Sequence, residues 1–250
     1  MTRSVPILTY HSLDESGSVI SVAPAIFERH MTLLHERGFH GIALGDLLDG
    51  WDASRPLPDN PVVLTFDDGF ENVARHAAGL LQRIGFRATI FAVAGHCGGL
   101  NDWPTQPPDV PRMPLLGWSE LRDLEGAGFE IGLHGMTHAP LTGLPADMER
   151  REIVEGKQLM EDRLGRSAGV FAYPYGAAGA SARELVRRHF RGACSTQMRS
   201  AKSNDARDWL GRIDAYYLRH PRVFGLLGTW PGEAYLALRA LGRRARELIS

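Results

Sequence analysis

The strongest constraint on the fold is a regular alternation of short apolar segments with amphipathic helical segments along the 250-residue chain. Segment 61–66 reads PVVLTF, a continuous, largely β-branched run that is typical of a buried strand. In the next segment, 70–84, apolar residues recur at spacings of four, three and four, which indicates a helix. Strands and helices in succession predict parallel strands covered by helices. We therefore expect an α/β fold, either a barrel or an open sheet.

The same reading extends over the whole chain. The segments that predict strands are 5–9, 61–66, 88–93, 129–133, 169–173 and 192–196. The segments that predict helices are 24–37, 70–84, 119–127, 147–164, 181–190 and 231–249. No linker or internal repeat divides the chain. We predict one domain over residues 1–230, with 231–250 as a C-terminal amphipathic helix that is part of this domain or a membrane-surface appendage.

Charge and hydropathy exclude several classes of protein. The chain has 28 basic and 29 acidic residues and a net charge of -1, so it lacks the basic footprint of a nucleic-acid-binding protein. No apolar run approaches the length of a membrane span. The apolar run after Met1 is too short for a signal peptide, so with Met1 as the start we expect a cytoplasmic protein.

Reactive side chains follow the predicted strands at the point where each strand ends. His11, Asp67, Asp68 and His134 each lie at or just past such an end, and so does the turn 173–176. In parallel α/β folds the chemistry gathers at the C-terminal ends of the strands. We therefore predict that these residues share one site.

Asp67 and Asp68 are adjacent acids at the end of the strand 61–66. Adjacent residues on an extended strand point to opposite sides, so one carboxylate can bind a metal while the other acts as a base. The alternative is that one of them only caps the following helix. His134 and His138 are four residues apart and can meet one cation, or they are two unrelated polar loop residues. One carboxylate and two imidazoles make a three-ligand site with open positions, the signature of a catalytic metal.

Two further features could take part in chemistry. The turn Tyr173-Pro174-Tyr175-Gly176 can aim backbone N–H groups at one point and so stabilise an oxyanion, or it is a simple surface turn. His11 could act as a general acid, or it is a structural histidine of the core.

Three motifs occur in a fixed order: TFDDG at 65–69, HGMTH at 134–138 and FAYPYG at 171–176. Together they resemble the polysaccharide deacetylase family, the NodB homology or carbohydrate esterase family 4 group, over about residues 5 to 213. The resemblance implies a deformed (β/α)7 barrel of parallel strands with outer helices. It also implies a hydrolase that removes N-acetyl groups from an amino sugar or an amino-sugar-containing glycan and releases acetate.

The resemblance implies a role for each matching residue. Asp67 resembles the catalytic base, and the backbone N–H of Tyr175 resembles the oxyanion donor. The metal ligands would be Asp68, His134 and His138. The implied cofactor is a divalent ion, with Zn²⁺ expected and Co²⁺, Ni²⁺ or Mn²⁺ as alternatives.

The sequence departs from the family pattern in two places. Many members carry an arginine two residues before the proline of the third motif, where this chain has Ala172, so the usual partner of the base is missing. The opening ILTYHSL resembles a circularly permuted branch in which an N-terminal Tyr-His supplies the general acid. We therefore assign the acid to His11, with His220 of a short Leu-Arg-His motif as the alternative.

The sequence leaves other functions open. A deformylase, or a deacylase of a small or lipid-linked amino sugar, would use the same site. A non-catalytic sugar-binding protein has no use for a free second carboxylate, and a glycosidase needs two carboxylates that flank one bond. Aromatic and turn residues are the predicted sugar contacts: Tyr173, Pro174, Trp118 and Trp103.

The predicted C-terminal helix combines an apolar stripe with several arginines. The stripe consists of Ala234, Leu238, Leu241, Ala245 and Leu248, and the arginines are Arg239, Arg243, Arg244 and Arg246. One interpretation is a helix packed on the barrel. The other is a basic amphipathic helix in peripheral contact with an anionic membrane, which co-sedimentation with anionic vesicles would test.

Overall fold

The computed structural model describes residues 4–247, and for 243–247 it describes the backbone but not the side chains. The side chains of Arg243, Arg244, Ala245 and Arg246, and all of Leu248, therefore lie outside the described part of the chain.

The strands are short and in most cases buried. They are β1 (Ser4–Val5), β2 (Ile7–Tyr10), β3 (His40–Ile42), β4 (Pro61–Phe66), β5 (Thr89–Ala92), β6 (Glu130–Leu133), β7 (Val170–Ala172), β8 (Gly192–Cys194), β9 (Ala201–Lys202) and β10 (Ile213–Asp214).

The helices alternate with these strands. They are α1 (Pro24–Glu36), α2 (Leu44–Trp51), α3 (Glu71–Val73, a π-helical segment Ala74–Ala78, then Gly79–Arg83), α4 (Trp118–Gly126), α5 (Ala146–Arg150, a π-helical segment Arg151–Glu155, then Gly156–Leu164), α6 (Ala180–His189), α7 (Pro221–Phe224) and α8 (Trp230–Glu247). Short 3₁₀ turns occur at Ala94–His96, Pro174–Gly176 and Ala215–Leu218.

Parallel pairing organises the main sheet. Its strands follow the order β10-β2-β4-β5-β6-β7-β8, and β3 pairs with the first half of β4. Every pair in this sheet is parallel, while β1 and β9 form a separate antiparallel pair. A parallel sheet needs a crossover between neighbouring strands, and helices supply most of these crossovers.

The two ends of the sheet are joined by the segment that follows β9. Ser195 donates a backbone hydrogen bond to the carbonyl of Leu210, and Leu210 donates one to Ala193. The chain then passes through Arg212 into β10, which pairs with β2. The sheet is thereby curled into a deformed β/α barrel, and the predicted fold class is confirmed.

The two faces of the sheet pack into separate apolar clusters. Because side chains alternate along a strand, Val62 and Leu64 of β4 belong to the larger cluster, which includes the inner faces of the helices. Val63 belongs to a smaller cluster with Ile7 and Phe91 from neighbouring strands. Continuing the alternation along β4 places the residues 63, 65 and 67 on one face, so this packing positions the carboxylate that follows the strand.

The sequence patterns locate most of the barrel. The strand predicted at 61–66 matches β4, and the other predicted strands and helices overlap observed ones. The patterns miss β3, β9, β10, α2 and α7, although Leu44, Leu47 and Leu48 of α2 are buried. Among these, β10 matters most because it brings Arg212 to the end of the sheet.

The C-terminal helix α8 packs on the barrel through a face that differs from the predicted stripe. Leu236 is buried, and the Tyr235 hydroxyl donates to the carbonyl of Tyr217 at 3.0 Å. Leu238 and Leu241 of the predicted stripe are 70% and 62% exposed, so they are not the packed face. The division of the chain at residue 230, the cytoplasmic location and the contact of α8 with an anionic membrane stay predictions.

Among the described residues, no helix has both the length and the apolar character that a transmembrane span requires.

Candidate active site

The ends of four strands of the parallel sheet bring the predicted residues together. His11 follows β2, Asp67 follows β4, His134 follows β6 and Tyr173 follows β7. All four line one cavity of about 360 Å³. The shared site that the strand-end argument predicts is therefore present in the structure.

Asp67 is buried and paired with an arginine that the sequence analysis did not identify. The two guanidinium nitrogens Nη1 and Nη2 of Arg212 donate to the two carboxylate oxygens of Asp67, at 2.6 and 2.7 Å. Both side chains are about 3% exposed. Arg212, which directly precedes β10, therefore pairs with Asp67 in this chain. The arginine of the third motif, where this chain has Ala172, is not needed for that contact.

The pair sets the charge of the Asp67 carboxyl. Burial alone raises the pKa of Asp67, but the positive charge of Arg212, with smaller effects from His134 and His11, outweighs it. The pKa of Asp67 consequently lies below its usual value, and the carboxylate is ionised at neutral pH.

Asp68, His134 and His138 form a compact buried group. One ligand atom from each residue lies within 4.8 Å of the others. Oδ1 of Asp68 is 3.2 Å from Nε2 of His138 and 3.5 Å from Nε2 of His134. The neighbouring histidines, above all His138, oppose the effect of burial and hold the pKa of Asp68 well below its usual value.

The donor set fits a divalent cation. His134 is 2.8 Å from the Ala172 carbonyl through Nδ1, and this contact assigns the proton to Nδ1 and leaves a lone pair on Nε2. Burial lowers the pKa of His134 to about 4, so its ring is neutral at pH 7. Oδ1 of Asp68 makes no hydrogen bond within the described structure. Electron-pair donors that face one another in this way are stabilised by a bound cation.

Backbone strain is concentrated at these residues. Five non-glycine residues of the described chain have positive φ, and three of them are Asp68 (69°), His138 (61°) and Tyr175 (58°). Such conformations cost about 1–3 kcal/mol each and cluster at functional sites. The observation favours a functional site over the helix-capping, loop and surface-turn alternatives for these motifs.

A buried glutamate holds the loop between the two histidines. Oε2 of Glu152, from α5, accepts hydrogen bonds from the backbone N–H groups of Met136 and Thr137, each at 2.9 Å. A side chain at Gly135 would place its Cβ 2.9 Å from the same oxygen, at a φ of 81°. The sequence offered no signal for Glu152 beyond an acid on a helix face.

The turn after β7 presents Tyr175 at the cavity. Gly176 is required there, because its φ is 67° and an added Cβ would meet Oγ1 of Thr196 at 2.1 Å. The Tyr175 hydroxyl donates to the loop residue Thr105, at 2.9 Å to Oγ1 and 3.1 Å to the carbonyl. The turn and the long loop 95–117 are thereby tied together beside the buried carboxylates.

The structure separates the two candidates for the general acid. Nε2 of His11 is 3.8 Å from Oδ2 of Asp67, and His11 lines the cavity. His220 is exposed and precedes α7, where its Nδ1 accepts a hydrogen bond from the backbone N–H of Arg222. His220 is not among the described residues that line the cavity.

The predicted sugar contacts are placed differently from one another. Trp103 is buried, and its ring stacks on His138 at a centroid distance of 4.1 Å, so it supports this histidine. Tyr173 lines the cavity but is fully buried, and burial raises the pKa of its phenol. Trp118 and Pro174 are not among the described lining residues. Trp118 begins α4 and packs on the core, and Pro174 is buried inside the turn. Contact of either residue with a sugar stays a prediction.

Other residues that were not predicted as sugar contacts also line the cavity. Val19 and Ile20 come from the loop after β2, and Val110 comes from the loop 95–117. Tyr216 and Tyr217 come from the 3₁₀ turn after β10. No local pattern identifies the two tyrosines, because β10 was not predicted and they reach the cavity from a distant part of the chain.

A family model and individual relatives of this chain point to the same protein family. The model of the polysaccharide deacetylase family matches residues 54–190, more than half of the chain. The YxkH protein of Bacillus subtilis (strain 168) is 26% identical over 172 residues, which are 69% of this chain and 57% of that protein. The poly-β-1,6-N-acetyl-D-glucosamine N-deacetylase of Escherichia coli (strain K12) is 21% identical over 221 residues, 72% of this chain and 32% of that enzyme. The chain thus spans between a third and somewhat more than half of these relatives.

Solved structures share the fold. The Streptococcus pyogenes deacetylase PplD, in complex with acetate, has a TM-score of 0.74 at 18% identity, covering 86% of this chain and 93% of that one. IcaB from Ammonifex degensii has a TM-score of 0.71 at 22% identity, covering 86% and 94%. At these identities the similarity shows the fold alone.

The buried pair predicts a pH-dependent loss of stability in the variant Arg212→Met. Removing the guanidinium leaves the Asp67 carboxylate buried without a partner, so we expect the free energy of unfolding at pH 7 to fall by about 3–5 kcal/mol. Because the folded-state pKa of Asp67 is lowered in the native protein, the pair stabilises the fold above its usual pKa of 3.8 and less as the pH falls below it. In the variant burial raises that pKa, so the difference between the two proteins shrinks toward low pH. Urea unfolding at pH 7 and pH 4 measures it.

A matched control is the double variant Arg212→Met with Asp67→Asn, which removes both charges and keeps the shape of the acid. We expect it to recover much of the lost stability at pH 7. An equal loss at both pH values, or no recovery in the double variant, would contradict the charge-balance account.

Proposed function

Because the chain belongs to the polysaccharide deacetylase family, we propose that it is a metal-dependent amide hydrolase that removes acetyl groups from the nitrogen of an amino sugar. The observation that carries the proposal is the pairing of two differently partnered carboxylates at one strand end. Asp67 faces Arg212, and Asp68 faces two imidazole nitrogens.

We assign the metal to Asp68, His134 and His138, with Zn²⁺ as the expected ion because one carboxylate and two imidazoles suit it. An ion held there supplies Lewis acidity, which polarises an amide carbonyl and lowers the pKa of water. The three residues contribute a net charge of -1. Because they line the cavity, a substrate in the cavity can approach an ion that they hold.

Asp67 acts as the general base in this proposal. Its carboxylate stays ionised because of Arg212, and it accepts the proton of the attacking water. The bidentate contact with Arg212 also fixes the orientation of the carboxylate, so little reorganisation accompanies the proton transfer. A sugar-binding protein without catalysis would gain nothing from a buried, ionised acid that is placed in this way.

His11 and Tyr175 act on the two ends of the scissile bond. The protonated His11 ring donates a proton to the leaving nitrogen, because an amine leaves poorly without one. The backbone N–H of Tyr175 donates a hydrogen bond to the carbonyl oxygen as negative charge develops on it. The strained φ of Tyr175 supports this assignment, since it turns the backbone at the cavity.

The cavity favours an uncharged sugar ring. Its volume of about 360 Å³ is at the small end of the range for ligand pockets. Val19, Ile20 and Val110 make one part of its lining apolar, and Tyr216 and Tyr217 add aromatic surface. The guanidinium of Arg212, the one lysine or arginine among the described lining residues, is committed to Asp67. The Escherichia coli relative is named for its action on poly-N-acetylglucosamine, which makes N-acetylglucosamine derivatives the first substrates to test.

Acetate release tests the proposed function. The protein is incubated with methyl N-acetylglucosaminide and with N-acetylglucosamine oligosaccharides, and acetate and new reducing ends are measured separately. We expect acetate without new reducing ends, loss of activity after chelation, and recovery when Zn²⁺ is added. Asp67→Asn should lower kcat by roughly 10²-fold or more. Formation of reducing ends, or full activity in the chelated protein, would contradict the proposal.

The variant His11→Ala tests the general acid. We expect kcat on the amide substrate to fall by about 10²–10⁴-fold. On an activated aryl ester the loss should be much smaller, because that leaving group departs without a proton. Metal content and thermal stability serve as controls for folding. Equal losses on both substrates would make His11 a structural residue.

A further inference from the structure

A second groove opens beside the catalytic cavity and shares part of its wall. It has a volume of about 710 Å³, compared with about 360 Å³ for the cavity. Tyr175 and Thr196 line both spaces, so the two are contiguous. A group attached to a sugar on the Tyr175 side of the cavity would therefore lie beside this groove.

Three parts of the chain build the groove. One part is the turn after β7, with Tyr175 and Gly176, and another is the segment 196–199 together with Trp209. The third is α8, which contributes Ala237, Ala240 and Leu241. The groove therefore exists only because the C-terminal helix lies beside the end of the barrel.

Specific contacts hold α8 in this position. The Ser200 hydroxyl donates to the Glu233 carboxylate at 2.7 Å, and the Tyr235 hydroxyl donates to the carbonyl of Tyr217 at 3.0 Å. Leu236 is buried against the larger apolar cluster. An added side chain at Gly232 would meet the carbonyl oxygen of Leu226 at 2.1 Å, so the start of α8 is closely packed.

The side of the groove that α8 forms is apolar, and the charge in the groove is paired. α8 supplies only alanine and leucine side chains, and the rest of the lining includes Met198 and Trp209 together with the polar residues Thr196 and Gln197. Arg199, the one charged residue among the described lining residues, donates to Asp205 at 2.6 Å and to the Ser200 carbonyl at 3.1 Å. The groove thus offers no unpaired positive charge for a phosphate, and α8 offers no side-chain partner for the hydroxyl groups of a second sugar ring.

Leu241 has a large apolar surface that remains in contact with water. Its side chain is 62% exposed although it lies in the groove. Covering such surface with hydrocarbon is favourable in proportion to the area removed from water. Because Leu241 lies in a groove beside the cavity, an apolar part of the substrate could cover this surface.

We propose that this groove binds a hydrocarbon chain attached to the amino sugar, so that the substrate is amphipathic. The inference rests on the proposed function and narrows its substrate class. The chain could be the aglycone of the sugar or an elongated N-acyl group. Both have the same chemistry in the groove, and hydrolysis in either case converts an amide and water into a free amine and a carboxylate.

Two series of substrates test the proposal. The first contains the methyl, butyl, hexyl and octyl glycosides of N-acetylglucosamine, kept below their critical micelle concentrations. The second contains methyl glucosaminides whose N-acyl group runs from acetyl to octanoyl. For the series that carries the chain into the groove, we expect kcat/KM to rise by roughly two- to four-fold per methylene until the groove is filled.

Oligosaccharides of N-acetylglucosamine form a third series. A rise in kcat/KM with chain length in one hydrocarbon series supports the proposal and shows where the chain is attached. Flat values in both hydrocarbon series overturn it. A rise that depends only on the number of sugar units also overturns it, because the groove would then bind a second sugar ring.

Variants of α8 connect the effect to the groove. Leu241→Asp places a carboxylate in the groove, and we expect the ratio of kcat/KM for the octyl and methyl substrates to fall by roughly ten-fold. Leu238→Asp is the matched control, because Leu238 is 70% exposed on the same helix but is not among the described lining residues. We expect it to keep the ratio. Equal effects of the two variants would overturn the proposal.

Binding distinguishes a failure of this proposal from a failure of the proposed function. Hydrolysis of the methyl glycoside with flat hydrocarbon series leaves the function intact and overturns the groove. If no substrate is hydrolysed, the proposed function fails, and calorimetry with the octyl and methyl glycosides still tests the groove. Tighter binding of the octyl glycoside, reduced by Leu241→Asp, would support it, and equal binding would overturn it.

Discussion

Two neighbouring carboxylates, Asp67 and Asp68, are buried at the end of one strand, and the surrounding structure balances their charge. Burial of an ionised carboxylate is costly unless it is paired and hydrogen-bonded. The Asp67 carboxylate accepts hydrogen bonds from Nη1 and Nη2 of Arg212. Asp68 faces the imidazoles of His134 and His138, and these three residues could hold a metal ion. The different partners give two identical side chains different electrostatic environments.

The barrel supplies these partners from distant parts of the sequence. Parallel pairing places the ends of β2, β4, β6 and β7 at the same side of the sheet, so the side chains that follow these strands meet. The strained backbone at Asp68, His138 and Tyr175 is maintained by the packing and hydrogen bonds around it, such as those that Glu152 accepts from the loop before His138. A rigid scaffold of this kind holds a reactive group in one orientation before substrate arrives.

The sequence predicts the parts of the site that depend on local pattern. Asp67, Asp68, His134 and His138 follow recognisable strands, and strand ends converge in this class of fold. Arg212 could not be predicted, because its contact with Asp67 spans 145 residues and the two-residue strand that follows it has no apolar run. Aromatic residues such as Trp118 pose a related problem, because the sequence does not distinguish a side chain that packs on the core from one that faces a ligand. The packed face of α8 was also mispredicted, since periodicity identifies an apolar stripe but not the surface that covers it.

We propose that Asp67 is the general base and Asp68 is a metal ligand. The metal content of two isosteric variants distinguishes these two roles. Asp67→Asn and Asp68→Asn differ from the native protein by one charge at adjacent positions and keep the size of each side chain. Each protein is saturated with Zn²⁺, passed over a desalting column and measured by elemental analysis. We predict close to one zinc per chain for the native protein and for Asp67→Asn, and a large loss of zinc for Asp68→Asn. A zinc-free Asp67→Asn with a fully loaded Asp68→Asn would contradict the assignment.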